Sequence, residues 1–82
     1  MNVGMLWFDN DPKTDLATKI SRAADYYRQK YGLQPNQCFV NPSMVNGTKV
    51  DAPVNVQTSP SILPNHLWIG YNAAVKQAEP SG

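Results

Sequence analysis

Three carboxylates fall close together near the start of the chain, at Asp9, Asp11 and Asp15. They directly follow the apolar run at residues 3–8, where a buried strand is expected to end. Clustered carboxylates bind divalent cations, and a nearby histidine can act as acid or base in metal-assisted hydrolysis or phosphoryl transfer. The chain has one histidine, His66, which precedes a second apolar run. Asp9, Asp11 and His66 are therefore the candidate catalytic residues.

Known motifs fit these acidic residues poorly. An EF-hand loop that began at Asp9 would need Gly at its sixth position and Glu at its twelfth, where this chain has Thr14 and Ile20. Aspartyl-phosphate enzymes also place D-x-D after an apolar strand, and Asp9 with Asp11 matches that much. Such an enzyme needs far more chain to supply its other catalytic parts.

The simpler interpretation is that the acidic residues cap a helix. Asp11 before Pro12 is one candidate N-cap. Thr14, with Asp15 just inside the helix, is another. Either arrangement places carboxylates beside unpaired backbone N–H groups and the positive end of the helix dipole. Capping needs no metal, and the sequence favours it over a catalytic site.

A helix is predicted at residues 14–31. Apolar residues recur from Leu16 at the spacing of one helical face, and Gly32 with Pro35 beyond it marks the end. Strands are predicted from apolar or alternating runs at 3–8, 37–40, 54–59 and 66–72. The fold class is α/β, of the α+β-like kind: a small two-layer β-α-β-β-β sandwich with one main helix on a three- to four-stranded mixed sheet.

The order and direction of the strands are only partly predicted. The first two strands are expected to run parallel, and the link at 60–65 is long enough for the last two to pair antiparallel. Between 41 and 53, a helical turn that ends at Gly47 is favoured over a hairpin at Asn46–Gly47.

The predicted sheet can bring polar residues to one edge. In open α/β sheets, ligands bind beyond the carboxyl ends of parallel strands. The first strand ends at Asp9 and Asp11, and the second ends at Asn41. A last strand antiparallel to the first carries His66 to the same edge, whereas a parallel one carries it to the far end.

Composition limits the class of protein. The chain has 82 residues, a net charge of +1, one cysteine, and no apolar stretch near the roughly 20 residues that span a bilayer. We expect a soluble cytoplasmic protein in a reducing compartment, with no cofactor and no membrane partner. Residues 1–72 form one predicted domain, and 73–82 form a short tail or frayed helix. Cys38, within an apolar strand, is expected to be a buried structural thiol.

The predicted helix carries a basic flank, formed by Lys19, Arg22, Tyr26 and Lys30. Basic side chains with an aromatic residue among them can follow a phosphate backbone and stack a base. The other interpretation is a solvated flank whose aliphatic stems cover the edge of the core. Because the net charge is close to zero, nucleic acid stands only as an alternative partner.

Apolar residues of the predicted strands point to both faces of the sheet, although one helix can cover only one face. The second face must be covered by the chain's own segments near 44–50 and 62–63, by a second copy, or by another protein. Large aromatic residues left on an open face mark a contact surface. The predicted partner-binding residues are Met5, Trp7, Trp68 and Tyr71, with Phe8 or Phe39 as further candidates.

Two blocks of sequence carry a resemblance: RAADYYRQKYGLQPNQCFVNPS at 22–43 and ILPNHLWIGYN at 62–72. They resemble a group of short bacterial proteins, themselves uncharacterised, with a KYG-x-x-P-N-x-C block and a terminal LPNHLWIG block. The resemblance implies a compact, self-contained domain, and it implies no activity, cofactor or site residue.

The sequence therefore predicts a small non-enzymatic protein-interaction module. It would be a homodimer, or an accessory subunit that docks an apolar sheet face onto a larger assembly, with another protein chain or a second copy as partner. The alternatives are a nucleic-acid-associated protein that uses the basic flank and a metal-assisted hydrolase or phosphoryl-transfer enzyme at Asp9, Asp11 and His66.

Overall fold

The computed structural model describes residues 3–45 and 50–73. Its elements, in chain order, are strand β1 (Val3–Phe8), helix α1 (Leu16–Tyr31), strand β2 (Gln37–Val40), a 3₁₀ turn (Pro42–Met44), strand β3 (Asn55–Thr58) and strand β4 (His66–Tyr71). One helix lies on a four-stranded mixed sheet. The molecule therefore has the predicted small two-layer α+β fold, and the predicted β-α-β-β-β order is confirmed.

The helix begins at Leu16 rather than at residue 14, because its N-cap is Asp15 and not an earlier residue. Asp15 is extended, with φ −73° and ψ 166°, and its Oδ1 accepts a hydrogen bond from the Thr18 N–H at 2.9 Å. The helix ends where predicted. Gly32 adopts a left-handed φ of 66°, and its N–H donates to the Arg28 carbonyl at 2.8 Å.

β4, the last strand of the described residues, is a central strand of the sheet, whose order is β1-β4-β2-β3. β4 pairs antiparallel with both β1 and β2, whereas β3 pairs parallel with β2. The direction of β4, which the sequence left open, is thus antiparallel to β1. β1 and β2 run parallel as predicted, with β4 inserted between them. The predicted pairing of the last two strands is wrong, because β2 lies between β3 and β4.

The connection from β2 to β3 starts with the 3₁₀ turn at Pro42–Met44, and Asn41 is its N-cap. The favoured helical turn is confirmed at these residues. Its predicted end at Gly47 and the alternative hairpin at Asn46–Gly47 lie outside the described residues. The predicted C-terminal tail also lies outside them, apart from Ala73.

The core lies between α1 and one face of the sheet. Ile20 and Tyr27 from the helix are fully buried there, as are Cys38 and Ile69 from the two middle strands. The connection between β2 and β3 packs partly buried side chains against the same core: Met44, Val45, Val50 and Ala52. The helix and this connection therefore both cover the same side of the sheet.

Asn36, directly before β2, joins the ends of three strands. It is 1% exposed. Its N–H donates to the Gly70 carbonyl at 3.0 Å, and its carbonyl accepts from the Asn55 N–H at 3.1 Å. Its side-chain amide accepts from the Asn72 N–H at 2.9 Å and donates to the Asn72 carbonyl at 2.8 Å. The side chain thereby continues the hydrogen-bond ladder beyond the end of β4.

Asn36→Leu is expected to lower the free energy of unfolding by about 2–4 kcal/mol, because the N–H and carbonyl of half-buried Asn72 lose their partners. Urea unfolding followed by circular dichroism measures this loss. Asn10→Leu, at an exposed position outside the helix and strands, is the control and should change stability by less than about 0.5 kcal/mol. Equal stability of Asn36→Leu and the wild type would show that the sheet does not need these bonds.

Candidate functional site

The face of the sheet opposite α1 carries exposed apolar side chains. Leu6 is 61% exposed and Phe8 is 57% exposed. Phe39 and Trp68, beside them, are half-buried. The strand register places Leu6 opposite Trp68, and Trp68 opposite Phe39. We call the surface formed by Leu6, Phe8, Phe39 and Trp68 the open face.

Aromatic rings on this side of the sheet contact one another. The ring centroids of Phe39 and Trp68 are 5.8 Å apart, and those of Phe8 and His66 are 4.8 Å apart. Both pairs are tilted by 51°, within the range of favourable aromatic geometries. The open face is therefore an apolar row that crosses β1, β4 and β2.

Gly4 makes room for Trp68. A Cβ atom added at Gly4 would lie 1.8 Å from Cζ2 of the Trp68 ring, so the indole occupies the place that any other residue would fill. Glycine inside a strand is a sign of such close approach. Sequence reasoning did not use this sign, and it did not select Leu6, although strand alternation places Leu6 on the same side as Phe8.

An open groove of about 440 Å³ lies beside Phe39 and Trp68. The rest of its lining is uncharged and mostly polar: Gln37, Ser59, Ser61, Ile62 and Asn72. The four strands contain no Asp, Glu, Lys or Arg. The open face is thus apolar at its centre and bordered on one side by neutral hydrogen-bonding groups.

The structure divides the predicted partner-binding residues between the two faces. Met5 and Trp7 pack against the core on the helix side, and the Trp7 ring centroid is 5.3 Å from that of Tyr26. Tyr71 points to the same side as the buried core residues of β4. Trp68 is the one residue of the four on the open face. The two further candidates, both phenylalanines, lie there as well.

The three N-terminal carboxylates are engaged by the chain's own turns. Asp9 Oδ1 accepts a hydrogen bond from the Asp11 N–H at 3.0 Å. Asp11 accepts from the Lys13 N–H at 2.9 Å and from the Thr14 hydroxyl at 2.7 Å, while Asp15 caps α1. The pKa of Asp11 is lowered, first by the Thr14 hydroxyl and then by the Lys13 N–H, because both bonds favour the charged form.

The polar edge predicted from the sequence does bring His66 near the acidic residues. The Asp9 N–H donates to the carbonyl of Asn65, the residue before His66, at 2.9 Å. His66 Nδ1 lies 2.9 Å from the Pro64 carbonyl, and the Asn41 side chain bonds neighbouring backbone groups. Across 3–45 and 50–73, no three His, Cys, Asp or Glu side chains are grouped closely enough to hold a metal ion. The described residues therefore include no cluster that would supply the metal ligands of the catalytic hypothesis.

The basic flank of α1 is interrupted. Lys19 is 6% exposed, and its Nζ donates to the Asp9 carbonyl at 3.1 Å. Tyr26 packs against a tryptophan of β1, and Lys30 lies over a neighbouring tyrosine ring, 5.5 Å from its centroid. Arg22 and Lys30 remain exposed. A phosphate backbone following this flank would therefore meet two exposed cations separated by two turns of helix.

Cys38, as predicted, is a buried thiol. It is fully buried in β2, and burial raises the pKa of its thiol to about 12. Because the nucleophile in cysteine chemistry is the thiolate, this residue is unreactive at neutral pH.

Asp15→Asn tests the capping role of the acidic residues. Hydrogen bonds from the side chain and the N–H of Thr18 hold the pKa of Asp15 below its usual 3.8. A lowered folded-state pKa contributes stability above about pH 4, and this contribution is lost as pH falls through the folded-state pKa. Asparagine keeps a capping oxygen but no charge. Urea midpoints should therefore agree near pH 7, and the variant should lose less stability than the wild type toward pH 3. A steeper loss in the variant would contradict the assignment.

Gly4→Ala is expected to displace the Trp68 ring, because the new Cβ would occupy the ring's position. We expect a red-shifted Trp68 emission and a loss of about 1–2 kcal/mol in stability, measured in a Trp7→Phe background that leaves one tryptophan. Gly32→Ala is the control: it is strained at φ 66° but has no atom within 4 Å, so it should lower stability without changing the emission. Unchanged emission in Gly4→Ala would contradict the close contact.

Comparisons with known proteins returned no match to this chain among protein-family models, curated proteins or solved structures. In the part of the chain that the structure describes, no helix has the length and apolar character needed to cross a bilayer. Functional inference therefore depends on the geometry of the open face.

Proposed function

We propose that this chain is a small non-enzymatic protein-interaction module that binds an apolar surface of another polypeptide through the open face. It would serve as a homodimer or as an accessory subunit of a larger assembly. The observation that carries the proposal is the exposure of Leu6 and Phe8, 61% and 57%, beside the half-buried rings of Phe39 and Trp68.

The chemistry of this surface resembles that of a protein interface. Interface centres are rich in aromatic residues and poor in charge, and their rims are polar. The open face has an apolar centre, and the groove beside it has serine and amide side chains. Burying an exposed Leu6 or Phe8 side chain would contribute about 1.5–3 kcal/mol, so contact with an apolar partner is favourable.

The size of the face limits the strength of the contact. Two strands about 20 Å long and two about 13 Å long, spaced about 4.8 Å apart, span about 320 Å². A standard protein interface buries about 800 Å² on each partner. One open face thus supplies less than half of that area, and it supports a modest affinity unless further surface joins it.

The charges argue against the two alternatives from the sequence. The strands contain no charged residue, and Lys19 of the basic flank is buried. Nucleic acid would meet no continuous row of cations, and an enzyme would lack an assembled group of acids at the predicted edge. The chain has one cysteine, which is buried as a free thiol. We therefore propose that the protein functions in a reducing compartment such as the cytoplasm.

Phe39→Gln and Phe8→Gln test this function against Leu33→Gln, a control on the exposed segment after α1. Tagged versions capture proteins from cells, and each captured protein is then purified and titrated calorimetrically against the purified variants. We expect a partner whose Kd rises at least about tenfold with either phenylalanine variant. The Kd should change little with Leu33→Gln or between low and high salt.

Two outcomes would contradict the proposal. In the first, every captured protein binds the phenylalanine variants as tightly as it binds the wild type. In the second, binding falls steeply with salt, which would point to the charged surfaces of the molecule. Circular dichroism and urea unfolding of each variant establish that it is folded before it is used.

A further inference from the structure

We propose that a second copy of this chain pairs with the free edge of β1, antiparallel, so that the two four-stranded sheets join into one sheet about a two-fold axis. This inference goes beyond docking through the open face. It uses backbone groups along the strand edge, and it holds whether or not another protein binds the face.

The hydrogen-bond pattern of the sheet identifies the groups that would pair. The Asp9 N–H donates to the Asn65 carbonyl at 2.9 Å, and the β1–β4 register is unbroken from there to the start of β1. Because the bonding direction alternates along an antiparallel strand, every second residue before Asp9 bonds β4. The N–H and carbonyl groups of Gly4, Leu6 and Phe8 therefore point to the outer edge.

Among the described residues, no strand pairs with the outer edge of β1, and β1 itself has no charge, proline or bulge that would protect it. Natural proteins blunt edge strands by charges, proline, bulges or short length. β1 is six residues long, pairs in continuous register, and contains neither proline nor a charged residue. The other edge strand differs, because β3 has four residues and is followed closely by Pro60. A second copy therefore has one suitable edge to pair with, and it is the same edge on both chains.

The side chains of β1 would fit against those of a second β1 strand that is related to it by this two-fold axis. If the axis passes beside Leu6, the two Leu6 residues face each other and Phe8 faces Gly4 of the second copy. The Phe8 ring then lies next to the Trp68 ring of the second copy, which covers that glycine. The two apolar rows become one row across the joined sheet.

Joining the sheets also changes the size of the open face. A rotation axis perpendicular to the sheet keeps both helices on one side and both open faces on the other. The combined face spans about 640 Å², twice the area of one sheet, which approaches the roughly 800 Å² that a standard interface buries on one partner. Association of two copies therefore supplies the further surface that a single open face lacks.

Leu6→Pro tests the pairing against Leu6→Ala. Both variants remove the leucine side chain, but only proline removes the outward N–H, and proline is tolerated at strand edges where that group makes no ladder bond. Sedimentation equilibrium from low micromolar to millimolar protein should show the wild-type mass rising from that of the 9.1 kDa chain toward twice that value. We expect Leu6→Ala to raise the dimer dissociation constant by less than about tenfold and Leu6→Pro to remain a monomer throughout.

Amide hydrogen exchange of the wild type gives a second readout that does not depend on any variant folding. The amides of Gly4, Leu6 and Phe8 should exchange at least about tenfold more slowly as concentration rises. Thr58, whose amide points to the outer edge of β3, is the matched control and should not change. The face variant Phe39→Gln, two strands away from the β1 edge, should leave the dimer intact while lowering affinity for a docked protein, so either proposal can fail alone.

Three results would overturn the pairing. The first is a wild type that stays a monomer at millimolar concentration. The second is a dimer whose Gly4, Leu6 and Phe8 amides exchange as they do in dilute protein, because such a dimer uses another surface. The third is a folded Leu6→Pro variant that dimerises as tightly as Leu6→Ala. If these amides exchange slowly in a protein that stays a monomer, the β1 edge is covered within one chain. That outcome also overturns the pairing.

Discussion

The structure depends on the insertion of β4 between β1 and β2. This strand, the last of the described residues, hydrogen-bonds antiparallel to neighbours on both sides, so the four-stranded sheet cannot form until the C-terminal part of the described chain is in place. Asn36 secures the insertion, because its buried backbone and side-chain groups bond both the end of β4 and the start of β3. The same insertion puts Trp68 at the middle of the open face. The strand inserted at the middle of the sheet thereby also contributes an aromatic side chain to the open face.

The open face follows from the way the described part of the chain covers the sheet. One helix about 10 Å wide packs over β4 and its neighbours, and the connection between β2 and β3 adds its apolar residues to the same side. On the opposite side, Ile62 lines the groove beside Phe39 and Trp68, while Leu6 and Phe8 stay exposed. Apolar residues on the exposed side cost little stability when they face water, but they favour association with other apolar surfaces. This distribution of side chains is the basis of the binding function that we propose.

The acidic residues show how a chemical motif is explained by local structure. Asp9, Asp11 and Asp15 lie in successive turns in which each carboxylate accepts backbone N–H groups, and such bonds form between residues two or three positions apart. No distant part of the chain is needed for them. Lys19 is the opposite case, because its position on the helix predicted a solvated cation. Its Nζ instead reaches back to the carbonyl of Asp9, a contact that exists only because α1 crosses the end of β1.

The sequence by itself determined the secondary-structure elements of this protein. Helical spacing from Leu16, the left-handed Gly32 and the short apolar runs depend on neighbouring residues, and β1 and β2 therefore begin and end where predicted. Only the tertiary structure decided the strand order and the covered face. Alternation shows that Trp7 and Leu6 point to opposite sides, but both are apolar, so burial of either side satisfies the pattern. The packing of α1 decides which side of β1 is buried, and it places Trp7 on the helix side and Leu6 on the open face. The same applies to Gly4, whose role depends on a ring sixty-four residues further along the chain, a contact that no local pattern contains.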